Sequence, residues 1–529
     1  MLAGFCAFFF FFGLSYFGLL GADEPRYAQV AREMLARHDW ITPTLGGQPW
    51  LEKPILYYWQ AMFAYKIFGV SDWAARLPSA LDATLMVIAV FMFLRRFRPG
   101  FQLDGALITA SAAGVVGFAR AASMDMPLAS VFTIAMLAWY AWHENGRKLY
   151  LALFYAFIAL GTLAKGPIAP LLAAIIVVAF AVAKKDLGLV VKTLWVPGVL
   201  TFLVVAIPWY ATVQLRNPEF FRIFILEHNL SRFGTNRYHH PQPIWFYLPV
   251  VIGGLLPWVV FVIAALFENV RTWWTKKDAI RQSEDAFKIF LVIWFIQPLL
   301  FFSLSKSKLP GYILPVLPAG TLLLAEYGRT HANGRRRAAL VLLHSVIAAS
   351  LLLPALLLQY IVLQHHLQWT RATILAAIPT VMLALAIGAT LYFRPGLRLL
   401  RFVTLVPVIL AIAAVLRLDA HFLDEHFSAR SLSDSISRID NDSLPTAVYG
   451  VSREIEYGLH FYRNQRIVRY ESGEVPAGEH ILVALHAMAL SQINDKLPRR
   501  RISYLGSDGP QGLDYFWVSS PGMGHMHPM

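Results

Sequence analysis

Residues 21–69, GADEPRYAQVAREMLARHDWITPTLGGQPWLEKPILYYWQAMFAYKIFG, follow an apolar run long enough to cross a membrane, yet they are rich in acids, bases, tryptophan and tyrosine. Two segments in the stretch carry helical periodicity. Tyr27, Val30, Ala31, Met34 and Leu35 share one face of the first, with Arg26, Gln29, Arg32, Glu33 and Arg37 opposite. In the second, Ile55, Leu56, Trp59, Met62 and Phe63 form the apolar face. Asp23 and Glu24 open the first helix, and Glu52 and Lys53 open the second. Ionisable groups are thus concentrated where the chain leaves the membrane, as expected of a loop that lies on a bilayer and carries the active surface.

Working outward, the 529 residues are 57% hydrophobic and only 15% charged, too few charges to cover a soluble chain of this length. The composition predicts an α-helical polytopic membrane protein. A formal charge of +14 is what Lys and Arg in cytoplasmic loops produce, so no nucleic-acid partner is expected. The single cysteine, Cys6, excludes an internal disulfide and a cysteine-based metal cluster. The first apolar run has no basic leader and no clear cleavage site, which predicts an uncleaved span.

About thirteen apolar stretches have spanning length, near 1–20, 78–94, 103–121, 126–142, 149–164, 166–183, 192–213, 244–267, 287–304, 309–326, 338–362, 372–393 and 399–417. Each even-numbered span ends in a basic loop: Arg95, Arg96 and Arg98; Arg147 and Lys148; Lys184 and Lys185; Arg271 to Arg281; Arg335 to Arg337; Arg394 to Arg401. The positive-inside bias puts those loops and the amino terminus in the cytoplasm, and the loops 21–77, 119–125, 165–167, 214–243, 305–309 and 363–371 on the other side. Residues 1–420 are expected to form the transmembrane domain, with 21–77 its first outer loop. After Arg417 the pattern changes. TAVYGV, RIVRY, HILVAL, RISYL and DYFWV read as strands, and SREIEYGLHFYRNQ and HAMALSQINDKLP as helices, predicting a small outer α/β domain over 421–529. The tail PGMGHMHPM is expected to be a disordered end rather than a metal site.

Charge beside a membrane span is costly, so its placement on the outer side invites a functional reading. The acids there are Asp23, Glu24, Glu52, Asp72, Asp125, Glu219 and Glu227; the bases include Arg26, Lys53, Arg76, Arg120, Lys165, Arg222, Arg232, Lys306 and Lys308. This basic excess runs against the orientation bias and suits a surface that holds phosphates. Structural roles compete at each position. Asp23 and Asp125 each precede a helix and a proline, where an acid ordinarily caps. Lys53 and Lys165 could snorkel to the interface, the favoured reading for Lys165, and Tyr312 could belong to the aromatic belt.

Taken in order, GADEPRYAQVAREML, WLEKPILYYW, ASMDMP, LAKGP, EHNLSRFGTNRYHHPQPIWFY and SKSKLPGYILP resemble the bacterial glycosyltransferases related to aminoarabinose transferase, and more distantly the protein O-mannosyltransferases. The resemblance covers roughly 20–320 motif by motif and the rest only in plan. It implies the GT-C fold and transfer of a sugar, such as 4-amino-4-deoxy-L-arabinose, from an undecaprenyl (polyprenyl) phosphate carrier to an acceptor such as lipid A phosphate on the periplasmic face of the inner membrane. By position, it implies Asp23 and Asp125 as the catalytic acidic pair, Lys53, Arg232 and Tyr312 as carrier-phosphate contacts, and Glu52 and His228 as candidate ligands of a divalent metal. No sequence feature by itself requires that metal, and Glu52 could equally pair with a base. The chain departs from the family's pattern at Ile55, where a second proline is common, and at Gly311, where a larger residue is often found. A monomer is expected.

The resemblance also implies single displacement at the anomeric carbon, hence inversion. Three rivals remain at this level. A lipid or solute transporter would also have many spans, but no second copy of DEPRYA or LEKP betrays the internal repeat that transporters commonly carry. An enzyme of the same fold acting on protein hydroxyls or another envelope glycan is barely separable by sequence. A scaffold would have no use for acids and bases clustered on one outer loop.

Overall fold

The computed structural model describes residues 2–231, 242–275, 286–331, 420–440, 444–488 and 500–521, with residues 493 and 497. These fall into two compact units that are not consecutive along the chain. One takes the described residues of Met1–Phe12, Ser79–Arg120 and Met124–Leu416, and the other those of Gly13–Pro78, Ala121–Ser123 and Arg417–Met529.

The first unit is helical. Among the described residues, four helices are long and apolar enough to cross a membrane: Asp72–Phe97, whose residues up to Pro78 lie in the other unit, Lys148–Lys165, Val196–Arg216 and Ala286–Leu304. The count is six if each of two bent pairs is one span. Its packing centre is aromatic. The rings of Trp139 and Phe290 stack at 5.6 Å, Phe180 meets Trp139 edge-on at 5.7 Å, and Phe132 meets Trp294 at 6.2 Å.

The two bends correct the expectation of unbroken spans at 103–121 and 244–267. The first pair, Gln102–Ser111 and Ala113–Ala119, turns by 64°, and the second, Ile244–Gly254 and Val259–Thr272, by 116°. In lipid, backbone groups freed by a break must find partners inside the protein. Here the breaks serve each other. Ala113 N–H donates to the Leu256 carbonyl at 2.8 Å, and Trp258 Nε1 donates to Ser111 Oγ at 3.0 Å. Gly114 and Gly254 permit the approach, since a Cβ on Gly114 would lie 3.1 Å from the Gly254 Cα. Apolar composition alone does not reveal such paired breaks.

The first apolar run differs too: its helical residues end at Phe11 rather than continuing to residue 20. The segment that follows belongs to the second unit, where buried guanidinium groups take the place of helical hydrogen bonds. Arg76, fully buried, donates to the carbonyls of Leu14, Phe17 and Gly18 at 2.7, 2.8 and 2.7 Å. The expected spans at 338–362, 372–393 and 399–417 lie outside the described residues. The stretch 309–326 begins as a 3-10 turn, Pro310–Val316, before the helix Leu317–His331.

In the second unit the two loop helices form where periodicity places them, Asp23–Ala36 and Leu56–Phe68. The first buries the expected Tyr27, Val30, Ala31 and Met34. The second keeps Ile55 and Met62 of the expected face buried but turns the rest. Tyr57, Tyr58, Ala61 and Tyr65 point inward, Leu56 and Trp59 are half-buried, and Phe63, Ile67 and Phe68 are exposed. Tyrosine reads as the polar side of that helix, yet two of its hydroxyls reach carbonyls inside: Tyr57 donates to Ala75 at 2.8 Å and Tyr65 to Ala28 at 3.3 Å.

The carboxyl-terminal part of this unit carries a five-stranded sheet in the order Val468–Arg469, Thr446–Tyr449, His480–Leu485, Leu513–Val518, Ile502–Asp508. The first three strands are parallel and the last two antiparallel to their neighbours. His480–Leu485 is central, and its run of apolar residues is buried on both faces. Leu432, Ile436, Ile455 and Leu459 of the helices Arg430–Asp440 and Arg453–Arg463 cover one of them. All five strands sit on the motifs that suggested them; the expected helix over 486–498 lies largely outside the described residues.

The loop and the sheet domain are joined by charge. Arg430 pairs with Asp72 at 2.9 Å and Asp424 at 2.6 Å, and the Tyr462 hydroxyl donates to Asp72 at 2.9 Å. Arg32 donates to the Phe461 carbonyl at 2.8 Å. His460 on the same helix is buried, and burial lowers its pKa to about 4 against a modest opposing pull from Glu33. The folded ring stays neutral where the unfolded ring, near 6.5, takes up a proton. Stability is therefore full above pH 6.5 and falls as pH drops toward 4, by roughly 2 to 3 kcal/mol at pH 4.5. Melting curves at pH 7.5 and 4.5 should show this loss, and His460→Gln should remove most of the difference.

Candidate active site

In the helical unit, three segments distant in sequence bring their polar groups together. Asp125 is the first residue of the helix Asp125–Asn145. Lys165 ends Lys148–Lys165, where Gly166, at φ +81°, turns the chain out of the helix. Tyr312 lies in the Pro310–Val316 turn. The Lys165 ammonium is ion-paired with the Asp125 carboxylate and stands 4.5 Å from the centroid of the Tyr312 ring. Asp125 and Lys165 are mostly buried, and Tyr312 packs on Phe302 at 5.6 Å between centroids.

Two expectations change here. Asp125 is the first residue of its helix, behind the cap residue Met124, and its carboxylate is turned to Lys165. Lys165 does not snorkel; Asp125 and the face of Tyr312 hold its charge inside the protein. The sequence displays Lys165 only beside a helix break, and nothing in LAKGP names its partner. Gly311 acquires a reason as well. A Cβ there would lie 2.6 Å from one carboxylate oxygen of Asp125, so this position must lack a side chain for Asp125 to sit where it does.

In the second unit, Asp23 is exposed and pairs with Arg26 one turn along its helix. Its neighbour turns the other way: Glu24 accepts the Leu20 N–H at 2.7 Å, the Ala122 N–H at 2.6 Å and two donations from Arg76 at 3.1 and 2.6 Å. Adjacent carboxylates thus divide the work, Glu24 turned inward and Asp23 outward. The Arg26 guanidinium lies over three rings, Tyr27 at 5.0 Å, Trp50 at 5.4 Å and Tyr457 at 5.5 Å. Burial opposes its charge, but Tyr27, Asp23 and Glu52 outweigh burial and raise its pKa. Burial also pushes the Tyr58 hydroxyl well above its usual range, with Glu52 and Asp23 adding and Arg26 opposing. Glu52 and Lys53 are half-buried in the turn before Leu56–Phe68.

The remaining candidates separate. Glu219 and Glu227 are both paired with the exposed Arg222, the latter at 2.8 Å. Lys308 is buried and donates to the Gln242 carbonyl at 3.1 Å. His228 lies in the π-helix Arg222–Ser231, and Arg232 lies outside the described residues. Among the described residues no three His, Cys, Asp or Glu side chains gather as a metal-holding group.

Residues 52–211 match the family described as dolichyl-phosphate-mannose-protein mannosyltransferase. A Pseudomonas fluorescens protein named undecaprenyl phosphate-alpha-4-amino-4-deoxy-L-arabinose arabinosyl transferase 1 is 28% identical over 483 residues, 86% of this chain and 85% of the relative. A Yersinia pestis protein of the same description is 32% identical over 330 residues, 60% of this chain and 57% of its own length. The chain thus aligns with only 53% to 57% of several of these relatives. Among solved structures, ArnT from Cupriavidus metallidurans bound to undecaprenyl phosphate superposes with a TM-score of 0.78 at 23% identity, covering 98% of this chain and 97% of that one.

By fold, then, the chain is a multi-pass membrane protein with the GT-C architecture. By sequence it is similar to proteins named as undecaprenyl phosphate-aminoarabinose arabinosyl transferases, which are glycosyltransferases.

Proposed function

We propose that this protein transfers a sugar from an undecaprenyl phosphate carrier to an acceptor at the periplasmic face of the bacterial inner membrane, with 4-amino-4-deoxy-L-arabinose as the sugar and a lipid A phosphate as the acceptor. The observation that carries this reading is the convergence of Asp125, Lys165 and Tyr312 from three separate segments, in a chain whose relatives bear that transferase description. Cationic and phenolic groups that the fold holds near the ends of apolar helices suit the phosphate of a lipid carrier.

The reaction is one displacement at the anomeric carbon. The bond from that carbon to the carrier phosphate oxygen breaks, its electron pair leaves with the phosphate, and the bond to the acceptor oxygen forms on the opposite face, inverting the centre. Negative charge grows on the departing phosphate. The family resemblance assigns that charge to Lys53, Arg232 and Tyr312, and within the helical unit Lys165 is a further cation against the Tyr312 ring. Asp23 and Asp125 position the acceptor. A hydroxyl acceptor would give its proton to one of them, whereas a phosphate acceptor is already ionised near neutral pH and needs no strong base. The match of 52–211 to protein mannosyltransferases favours one second reading, the same carrier chemistry delivered to a protein hydroxyl.

The tight fit at Gly311 makes a prediction. Gly311→Ala should push Asp125 off its place and lower turnover by about tenfold to a hundredfold, with folding retained. Turnover and melting temperature measured side by side check this. The reading itself is tested by adding undecaprenyl phosphate to the purified protein. Saturable binding, with no comparable effect from inorganic phosphate, is expected, and absence of binding would overturn it.

A further inference from the structure

The cage around Arg26 draws on two parts of the chain that lie far apart in sequence. Tyr27 and Trp50 come from the first loop, and Tyr457 from the helix Arg453–Arg463 that covers the sheet of the carboxyl-terminal domain. Three aromatic faces around one guanidinium leave it little freedom, and its Nη2 reaches both Asp23 and, at 3.3 Å, the Tyr27 hydroxyl. Asp23 is therefore held by a group that the carboxyl-terminal domain itself helps to hold.

A purely structural cage would be expected to satisfy its own donors. This one does not. Among the described residues, Arg26 Nε, Trp50 Nε1 and the hydroxyl of the fully buried Tyr58 find no hydrogen-bond partner. Native interiors leave few such groups, and three in one neighbourhood point to oxygens that arrive with a substrate. Asp23 already neutralises Arg26, and Glu52 adds negative charge nearby, so these donors suit the neutral hydroxyls of a sugar better than a second phosphate.

We propose that the carboxyl-terminal domain is a working part of the site: Tyr457 is a positioning residue that stacks on Arg26 and thereby fixes Asp23 in the orientation that meets the sugar and its acceptor. This rests on the proposed transferase reading and adds to it a domain that the reaction otherwise leaves idle.

The test compares Tyr457→Ala, Tyr457→Phe and Arg26→Lys with the wild type in full-length purified protein. The readouts are kcat, KM for the undecaprenyl-phosphate-linked sugar, binding of undecaprenyl phosphate alone, and melting temperature. Tyr457→Ala should lower kcat by about tenfold, while binding of the carrier without sugar stays within about twofold of wild type. Tyr457→Phe, which keeps the ring and loses only the hydroxyl's bond to Arg26, should recover most of kcat. Arg26→Lys, which keeps the charge but not the stacked plane, should behave like Tyr457→Ala. Wild-type kcat in Tyr457→Ala, or equal losses in the Ala and Phe variants, would overturn the proposal with the transferase reading intact. So would a loss that only follows a lowered melting temperature. A wild type that neither binds undecaprenyl phosphate nor transfers sugar would bring down both.

Discussion

Lys53→Ala should lower sugar-transfer turnover about a hundredfold or more. A preorganised cation near the oxygen where charge develops is worth about 3 kcal/mol to a transition state, and its loss appears in kcat rather than in folding. Lys53 is half-buried in a turn, and the helix that follows is anchored independently by the hydroxyls of Tyr57 and Tyr65. The variant should therefore fold. Lys53→Arg keeps the charge but changes its shape and reach, so it should retain part of the activity. Single-turnover rates with preloaded donor separate this loss from weaker binding. An unchanged rate in Lys53→Ala would remove the lysine from the reaction.

Arg76→Leu should have the largest effect on stability, about 3 to 5 kcal/mol. Arg76 is fully buried and makes five hydrogen bonds, two to Glu24 and three to the carbonyls of Leu14, Phe17 and Gly18. Leucine would leave Glu24 charged and buried without its partner and would strand the three carbonyls at once. Arg76→Lys keeps the charge without the fork of donors and should fall between. Melting of the purified variants in detergent measures the order, which should be wild type, Lys, Leu. A Leu variant within about 0.5 kcal/mol of wild type would show that the segment after the first helix is held by something else.

Much of this was readable in the sequence because it depends on periodicity. The helix Asp23–Ala36 buries Tyr27, Val30, Ala31 and Met34 of the face its 3.6-residue repeat describes, with Leu35 half-buried and Gln29 of the opposite face drawn in, and the five strands of the carboxyl-terminal sheet fall on the alternating or wholly apolar runs that suggested them. What stayed hidden depends on pairing across long separations. Nothing local tells that Glu24 rather than Asp23 turns inward to Arg76, 52 residues away, or that Lys165 meets Asp125, 40 residues away. The inward face of Leu56–Phe68 was misjudged for a related reason: Tyr57 and Tyr65 become core residues only because carbonyls lie within reach of their hydroxyls. The paired breaks at Ala112 and Leu256 were invisible because each supplies what the other lacks.

Gly311 shows how a sequence anomaly can become a structural statement. In the sequence its small size is a departure from the family's pattern. Beside the Asp125 carboxylate it is a requirement, since a side chain there would displace the acid. The position thus ties the shape of the Pro310–Val316 turn to the placement of a candidate catalytic group.

The most direct test of the central claim is a transfer assay with the purified full-length protein, undecaprenyl phosphate-linked 4-amino-4-deoxy-L-arabinose and lipid A, read by the mass of the lipid product. The account predicts lipid A carrying one added sugar, formed by the wild type and lost with Asp23→Ala or Lys53→Ala. No product with any carrier-linked sugar or acceptor, together with solute flux in vesicles holding the same protein, would contradict it.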